Sequence, residues 1–264
     1  MKKIKVLIVD DSATVRKVIG NILEKVTEID VIGAVENPIF AMRRMETDWP
    51  DVIVLDIEMP QMDGITFLKK LMSERPTPVV MCSTLTENGS ATAMKALALG
   101  ALEVVHKPRA GVKNHLENTS GELINAIRSA AKANMKVVKR IPLENKPKLT
   151  ADAIISAGRG PVSQSTADKV VAIGTSTGGT QALEAILTRL PRATPGIVIV
   201  QHMPEQFTRA FADRLNSICL IKVKEASEND RILPGQALIA PGGRHMVITG
   251  RGSHARVSIK DGPP

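Results

Sequence analysis

Apolar positions in the first half of the chain come in short, nearly continuous runs: "KVLIVD" (5–10), "DVIGAV" (30–35), "DVIVLD" (51–56), "PVVMCS" (78–83) and "LEVVHK" (102–107). Each run is followed by a stretch with helical spacing. Unbroken apolar runs suit strands buried on both faces, and strictly alternating strand and helix predicts a five-stranded parallel (βα)5 unit. In the first predicted helix Ser12 serves as the cap, and Val15, Val18, Ile19, Ile22 and Leu23 fall on one face. The last is predicted over about 122–139, burying Leu123, Ile124, Ile127, Ala131 and Met135. From about 140 to 168 Pro, Gly, Ser and charge mix without period, which predicts a linker.

A second alternation begins at Lys169. It predicts a strand to 173, a helix about 179–190, a strand over "GIVIVQ" (196–201) and a helix about 205–217. Four shorter strand-like pieces follow, "IKVKEA", "QALIAP", "HMVIT" and "ARVSIK", separated by "PG", "PGG" and "GRG" turns. The pattern predicts the opening of a second, doubly wound α/β domain with an antiparallel excursion. The expected organisation is 1–128, 129–168 as helix end and linker, and 169–264.

Composition narrows the classes. With 264 residues and 43% hydrophobic content the chain can bury two ordinary cores. No stretch is long enough to cross a membrane, and the apolar run after "MKKIK" stops too soon at Asp10 and Asp11 for a secretory signal. Cys82 and Cys219 stand far apart outside any metal-ligand spacing, so buried cytosolic thiols are expected. The net charge of +8 is uneven: residues 1–128 carry 16 basic and 17 acidic side chains, 129–168 carry 7 and 3, and 169–264 carry 12 and 7. An anionic protein partner, or a solvated face, fits this better than nucleic acid: Tyr is absent and Trp occurs once, so bases would find few stacking platforms, and no helix-turn-helix pattern follows residue 168.

Parallel strands end on a common edge, where the first domain gathers its acids. Asp10 and Asp11 end the first run, Asp56 the third, Ser83 the fourth and Lys107 the fifth. Crowded carboxylates suit a hard divalent cation such as Mg2+, while a hydroxyl and an ammonium are donors for a phosphoryl group. One such aspartate would be an ordinary turn cap; five suitable residues at the ends of four of the five runs point to phosphate on Asp56. The motifs "VDDS", "DIEMPQMDG", "CSTLT" and "KP", in this order, resemble a response-regulator receiver domain over about residues 3–128. The resemblance implies Asp56 as phosphoacceptor, Asp10, Asp11 and Asp56 as metal ligands, Ser83 and Lys107 as phosphoryl-binding residues, and a histidine kinase as donor. It departs at Val104, where receivers usually carry an aromatic switch residue, so a weaker or differently transmitted response is implied.

"GTSTG" (174–178) follows a strand and opens a helix, as a nucleophile elbow does. A phosphate-binding loop and a plain helix cap compete, although neither G-x-G-x-x-G nor G-x-x-x-x-G-K-[ST] is met. His202, ending the next strand, tips the choice, because a histidine at the same edge is the base a serine hydroxyl needs. "IGTSTGGTQAL", "VIVQHMPEQFTRAFADRLN", "LPGQALIAPGGRHM" and "IKDGPP" together resemble the chemotaxis protein-glutamate methylesterase family. The resemblance implies Ser176 as nucleophile and His202 as base, with no cofactor at that site. It also implies a cytoplasmic enzyme that hydrolyses glutamyl methyl esters, and deamidates glutamines, on methyl-accepting chemoreceptors. Family members continue past "DGPP" to a "GMGxDG" segment that supplies the third triad member. A chain ending at Pro264 is therefore expected to be incomplete at its C-terminus and slow in hydrolysis, and Asp213, Asp230 and Asp261 receive no role. The alternative is a crippled output protein serving as phosphate sink or binding module.

Overall fold

Every apolar run of the first half becomes a strand in the computed structural model: β1 Ile4–Val9, β2 Ile29–Val35, β3 Val52–Asp56, β4 Val79–Ser83 and β5 Glu103–His106. The helices between and after them are α1 Ala13–Leu23, α2 Pro38–Thr47, α3 Gly64–Glu74, α4 Glu87–Ala98 and α5 Lys113–Ala130. The structure describes residues 2–83, 87–108, 113–135 and 169–262. Most of the expected linker, residues 136–168, lies outside them, as do Thr84–Thr86 of the "CSTLT" motif and Pro263–Pro264. The chain divides into two compact units, Met1–Pro142 and Leu143–Pro264.

In the first unit the strands run parallel in the order β2-β1-β3-β4-β5. Chain order reverses beside β1, with β2 on one side and β3 on the other, which opens a crevice at the carboxyl end of β1 and β3. Successive residues point to opposite faces. Val6 and Ile8, Val52 and Val54, and Val80 and Cys82 pack with Ile19, Leu23, Leu123 and Ile127 in one core. Leu7, Val9, Ile53, Leu55, Val79 and Met81 alternate to the other face and are fully buried as well.

Ser12 caps α1 through a bond from Val15 N to its Oγ, and Ile19, Ile22 and Leu23 are buried on the predicted face. α5 departs from expectation. It begins at Lys113 rather than near 122, because its first two turns, "KNHLENTS", offer almost no apolar period to read. It ends at Ala130, and Ala133 and Met135 continue the apolar rhythm from a turn that still packs on the core.

The second unit contains β6 Val170–Thr175, α6 Gly179–Leu187, β7 Gly196–Gln201, α7 Glu205–Ile218, β8 Lys222–Glu225, β9 Gln236–Ile239, β10 His245–Thr249 and β11 Arg256–Lys260. A four-stranded parallel sheet has the order β6-β7-β9-β8, and β10 and β11 form a separate antiparallel pair. The excursion is thus narrower than the sequence predicts: "IKVKEA" and "QALIAP" join the parallel sheet, and only the last two pieces pair antiparallel. α6 stops at Leu187 rather than near 190. Thr188 Oγ1 bonds back to the Glu184 carbonyl at 2.7 Å, and Arg189 and Leu190 donate to Ile186 and Leu187 in tight turns ahead of Pro191.

Candidate functional site

The acids of the first unit converge as the sequence predicts. Asp10 and Asp56 are 1% and 2% exposed, while Asp11 is exposed. Ligand oxygens of Asp10, Asp11 and Asp56 all lie within 4.8 Å of one another. Lys107 reaches over from the end of β5, its Nζ 2.9 Å from Asp10 Oδ2 and 2.6 Å from Asp56 Oδ2. The Lys107 backbone N–H donates to the Ser83 carbonyl at 2.9 Å, which brings the buried Ser83 to the same edge.

Burial pushes the Asp56 carboxyl up to a pKa of about 6; the charge of Asp10 adds to this, and the hydrogen bond and charge of Lys107 oppose it. For Lys107, burial works against its charge, but hydrogen bonds to and charges of Asp56 and Asp10 outweigh that and hold its pKa above the ordinary value. Asp10 Oδ2 and Asp56 Oδ2 are buried and, among the described residues, receive the ammonium and no further hydrogen bond. Three clustered carboxylates with open oxygens are a donor set that fits a hard divalent cation. A cleft of about 530 Å³ opens beside them, with Asp11, Glu58, Asp63, Lys69 and Lys95 on its walls.

Two supporting residues escaped the sequence reading. Arg16 Nη1 donates to the carbonyls of Asp10 and Asp11 at 2.8 and 3.0 Å and so shapes the acidic loop. Its place one turn into a helix opened by two aspartates was the available signal. Gly64 starts α3 against the end of β3: a Cβ there would lie 2.0 Å from the Asp56 carbonyl oxygen. Only glycine fits that approach. Cys82 and Cys219 are buried thiols, as expected, and burial pushes the Cys82 thiol up, out of thiolate chemistry.

The second unit builds a site from backbone. β6 and β7 pair in register to Thr175 and Gln201, and the His202 N–H then donates to the Thr175 carbonyl at 3.0 Å. That bond draws His202 beside the turn after β6. The turn closes with Gly179 N–H on the Ser176 carbonyl at 2.7 Å, and Gly178 caps α6 in the left-handed region at φ 74°. A side chain at Gly178 would be strained. Ser176 and His202 are exposed, and Ser176 Oγ stands 3.4 Å from His202 Nδ1. In the tautomer protonated at Nε2, the serine hydroxyl donates to Nδ1.

Gln201 was read only as the end of an apolar strand. It is buried, with Nε2 donating at 3.0 Å to the carbonyls of both Ser176 and His202. Its polar character inside "GIVIVQH" was the signal. Glu184 and Arg214 form a bidentate pair, at 3.0 Å to each carboxylate oxygen, that joins α6 to α7. Of the acids without an assigned role, Asp230 is engaged with Lys224 and Ser227 N–H, and Asp261 with Arg244.

The response regulator receiver domain family matches residues 6–117, and the CheB methylesterase family matches residues 171–263. A protein-glutamate methylesterase/protein-glutamine glutaminase of Chromobacterium violaceum is 58% identical over 266 residues, 98% of this chain and 75% of that protein. That of Hahella chejuensis is 59% identical over 267 residues, 99% of this chain and 72% of that protein. Among solved structures, the response regulator domain of Thermotoga maritima CheB is 37% identical over 50% of this chain and 99% of its own, with a TM-score of 0.46. With both parts matched in this order, and with such identity over nearly the whole chain, the chain belongs to the CheB family of protein-glutamate methylesterase/protein-glutamine glutaminases that carry a receiver domain.

Proposed function

We propose that this protein is a phosphorylation-controlled serine esterase that removes methyl groups from glutamyl esters of chemoreceptors, and amide groups from related glutamines, during chemotactic adaptation. The observation that carries this reading is the 3.4 Å approach of Ser176 Oγ to His202 Nδ1 across adjacent parallel strands. Ser176 is the nucleophile: its proton passes to His202 as Oγ bonds to the ester carbonyl carbon, and His202 returns that proton to methanol as the carbon–oxygen bond breaks. Water then attacks the acyl-enzyme, losing its proton to His202, and the glutamate leaves as Ser176 regains a hydrogen. With an amide, ammonia leaves in place of methanol. The N-terminal end of α6, which opens three residues after Ser176, carries partial positive charge that favours the developing negative charge.

The receiver occupies 1–128, the linker region 129–168 and the esterase domain 169–264. Asp56 accepts phosphate from a histidine kinase, and Ser83 and Lys107 hold the phosphoryl oxygens. Asp10, Asp11 and Asp56 would hold Mg2+, which when bound neutralises charge on the incoming phosphoryl group. The partners are that kinase and methyl-accepting chemoreceptors, not nucleic acid. No helix among the described residues is long and apolar enough to cross a membrane, which accords with work in the cytoplasm on the receptors' inner segments.

The test is methanol released from a methylated chemoreceptor, measured side by side for wild type, Ser176→Ala and His202→Ala. Each substitution is expected to remove most of the release, and both together little more than either alone, because the pair acts as a unit. Undiminished release by Ser176→Ala would end the reading.

A further inference from the structure

Ser176 and His202 are exposed and directly follow the ends of β6 and β7, past the last register pair, Thr175 with Gln201. Their side chains nevertheless meet at 3.4 Å. Beneath them lies the side chain of Gln201, 7% exposed. Its Nε2 donates to the Ser176 carbonyl and to the His202 carbonyl, each at 3.0 Å, and its Oε1 accepts from Thr175 Oγ1 at 2.8 Å. Both amide hydrogens are thereby committed to the two residues of the pair. The orientation is settled by this network: turned over, Oε1 would face two carbonyl oxygens with no proton between them.

The surroundings are fitted to that amide. A Cβ at Gly179 would lie 2.3 Å from Gln201 Oε1 and 2.6 Å from Thr175 Cβ. The glycine that opens α6 therefore keeps space for Gln201 as well as starting the helix. The Gly179 N–H adds a second donor to the same Ser176 carbonyl. Where the strand ladder ends, the glutamine supplies cross-strand bonds in its place.

We propose that Gln201 is a positioning residue for the Ser176–His202 pair: its amide clamps both backbone carbonyls and so fixes the distance over which the serine proton reaches the imidazole. This rests on reading Ser176 as nucleophile and His202 as base. Buried amide bonds are rigid relative to exposed loops, and a misplacement of about 1 Å at a reacting pair can lower a rate about a hundredfold.

The test uses the full chain and a fluorophosphonate probe. Ser176 Oγ bonds to phosphorus, fluoride leaves, and the serine proton passes to His202. Gln201→Leu removes the amide at similar size and is expected to slow labelling of Ser176 by about 10- to 100-fold. In a His202→Ala background the same substitution is expected to slow it less than about threefold further, because the clamp acts through the pair. A purely structural role would lower both backgrounds by the same factor, and that result overturns the proposal, as does labelling of Gln201→Leu at the wild-type rate. If Gln201→Leu does not fold, Gln201→Glu, of equal length, is measured with the same expectations. Labelling that persists in Ser176→Ala contradicts the nucleophile reading itself, whereas a Ser176-dependent label indifferent to Gln201 contradicts only the clamp.

Discussion

The two units place chemistry at the same kind of edge, the carboxyl end of a parallel sheet, by opposite means. The receiver site is buried and made of charge: Asp56 and Asp10 are nearly inaccessible, and one lysine holds two carboxylates at 2.6 and 2.9 Å. The site proposed for the esterase is exposed, and its frame is made of backbone: two carbonyls, one buried amide and a left-handed glycine hold an exposed serine and histidine. A phosphoryl group brings its own charge and requires opposing charge nearby. An acyl transfer asks for distance and direction, which rigid neutral groups supply.

Chemical loss separates the sites most sharply. Asp56→Asn is expected to abolish Mg2+-dependent phosphate uptake from a small phosphodonor, read by labelling, while leaving fluorophosphonate labelling of Ser176 in place. Conversely, Ser176→Ala is expected to cost about a thousandfold or more in methanol release with phosphate uptake unchanged. Loss of both activities in either variant would contradict the division.

Each site also has one glycine pressed against its frame. Gly64→Ala forces a methyl to within 2.0 Å of the Asp56 carbonyl, and Gly179→Ala to within 2.3 Å of Gln201 Oε1. Each is expected to lower stability by about 1–3 kcal/mol in thermal unfolding of its own unit. Gly174→Ala, with nothing within 4 Å, is the control and should change stability by less than about 0.5 kcal/mol. Equal effects at all three positions would contradict the close approaches.

A pH-dependent effect is electrostatic and confined to the receiver. The Asp56 pKa is raised to about 6, so the stability its protonated form contributes is whole below about pH 4 and is lost as pH rises through about 6. In metal-free protein that loss should be on the order of 2–3 kcal/mol. Asp56→Asn should flatten this part of the stability profile, as followed by denaturant unfolding from pH 4 to 7. An unchanged slope would place the effect on another group.

The contrast also explains what could be read from sequence. The receiver's strands are continuous apolar runs, and its acids sit at their ends, so Asp10, Asp56, Ser83 and Lys107 could be placed together from position alone. Ser176 and His202 could likewise be placed at one edge as strand-end residues whose types suit a nucleophile and a base. Gln201 was not, because a neutral amide at a strand end carries no chemical signature until the backbone it binds is known. Strand order was equally hidden in the second unit: β9 lies between β7 and β8, a placement that local pattern does not encode. The start of α5 was missed for want of apolar period, and its apparent extension came from Ala133 and Met135 packing on the core beyond the helix.

A charge-built switch and a backbone-built esterase are proposed to work in one chain, and one measurement bears on that junction directly: methanol released from methylated chemoreceptor with and without a small phosphodonor and Mg2+, for wild type and Asp56→Asn. The expected result is Ser176-dependent release that rises on phosphodonor addition in wild type and does not rise in Asp56→Asn. Release that is indifferent to the phosphodonor in wild type, or equally stimulated in Asp56→Asn, would contradict it.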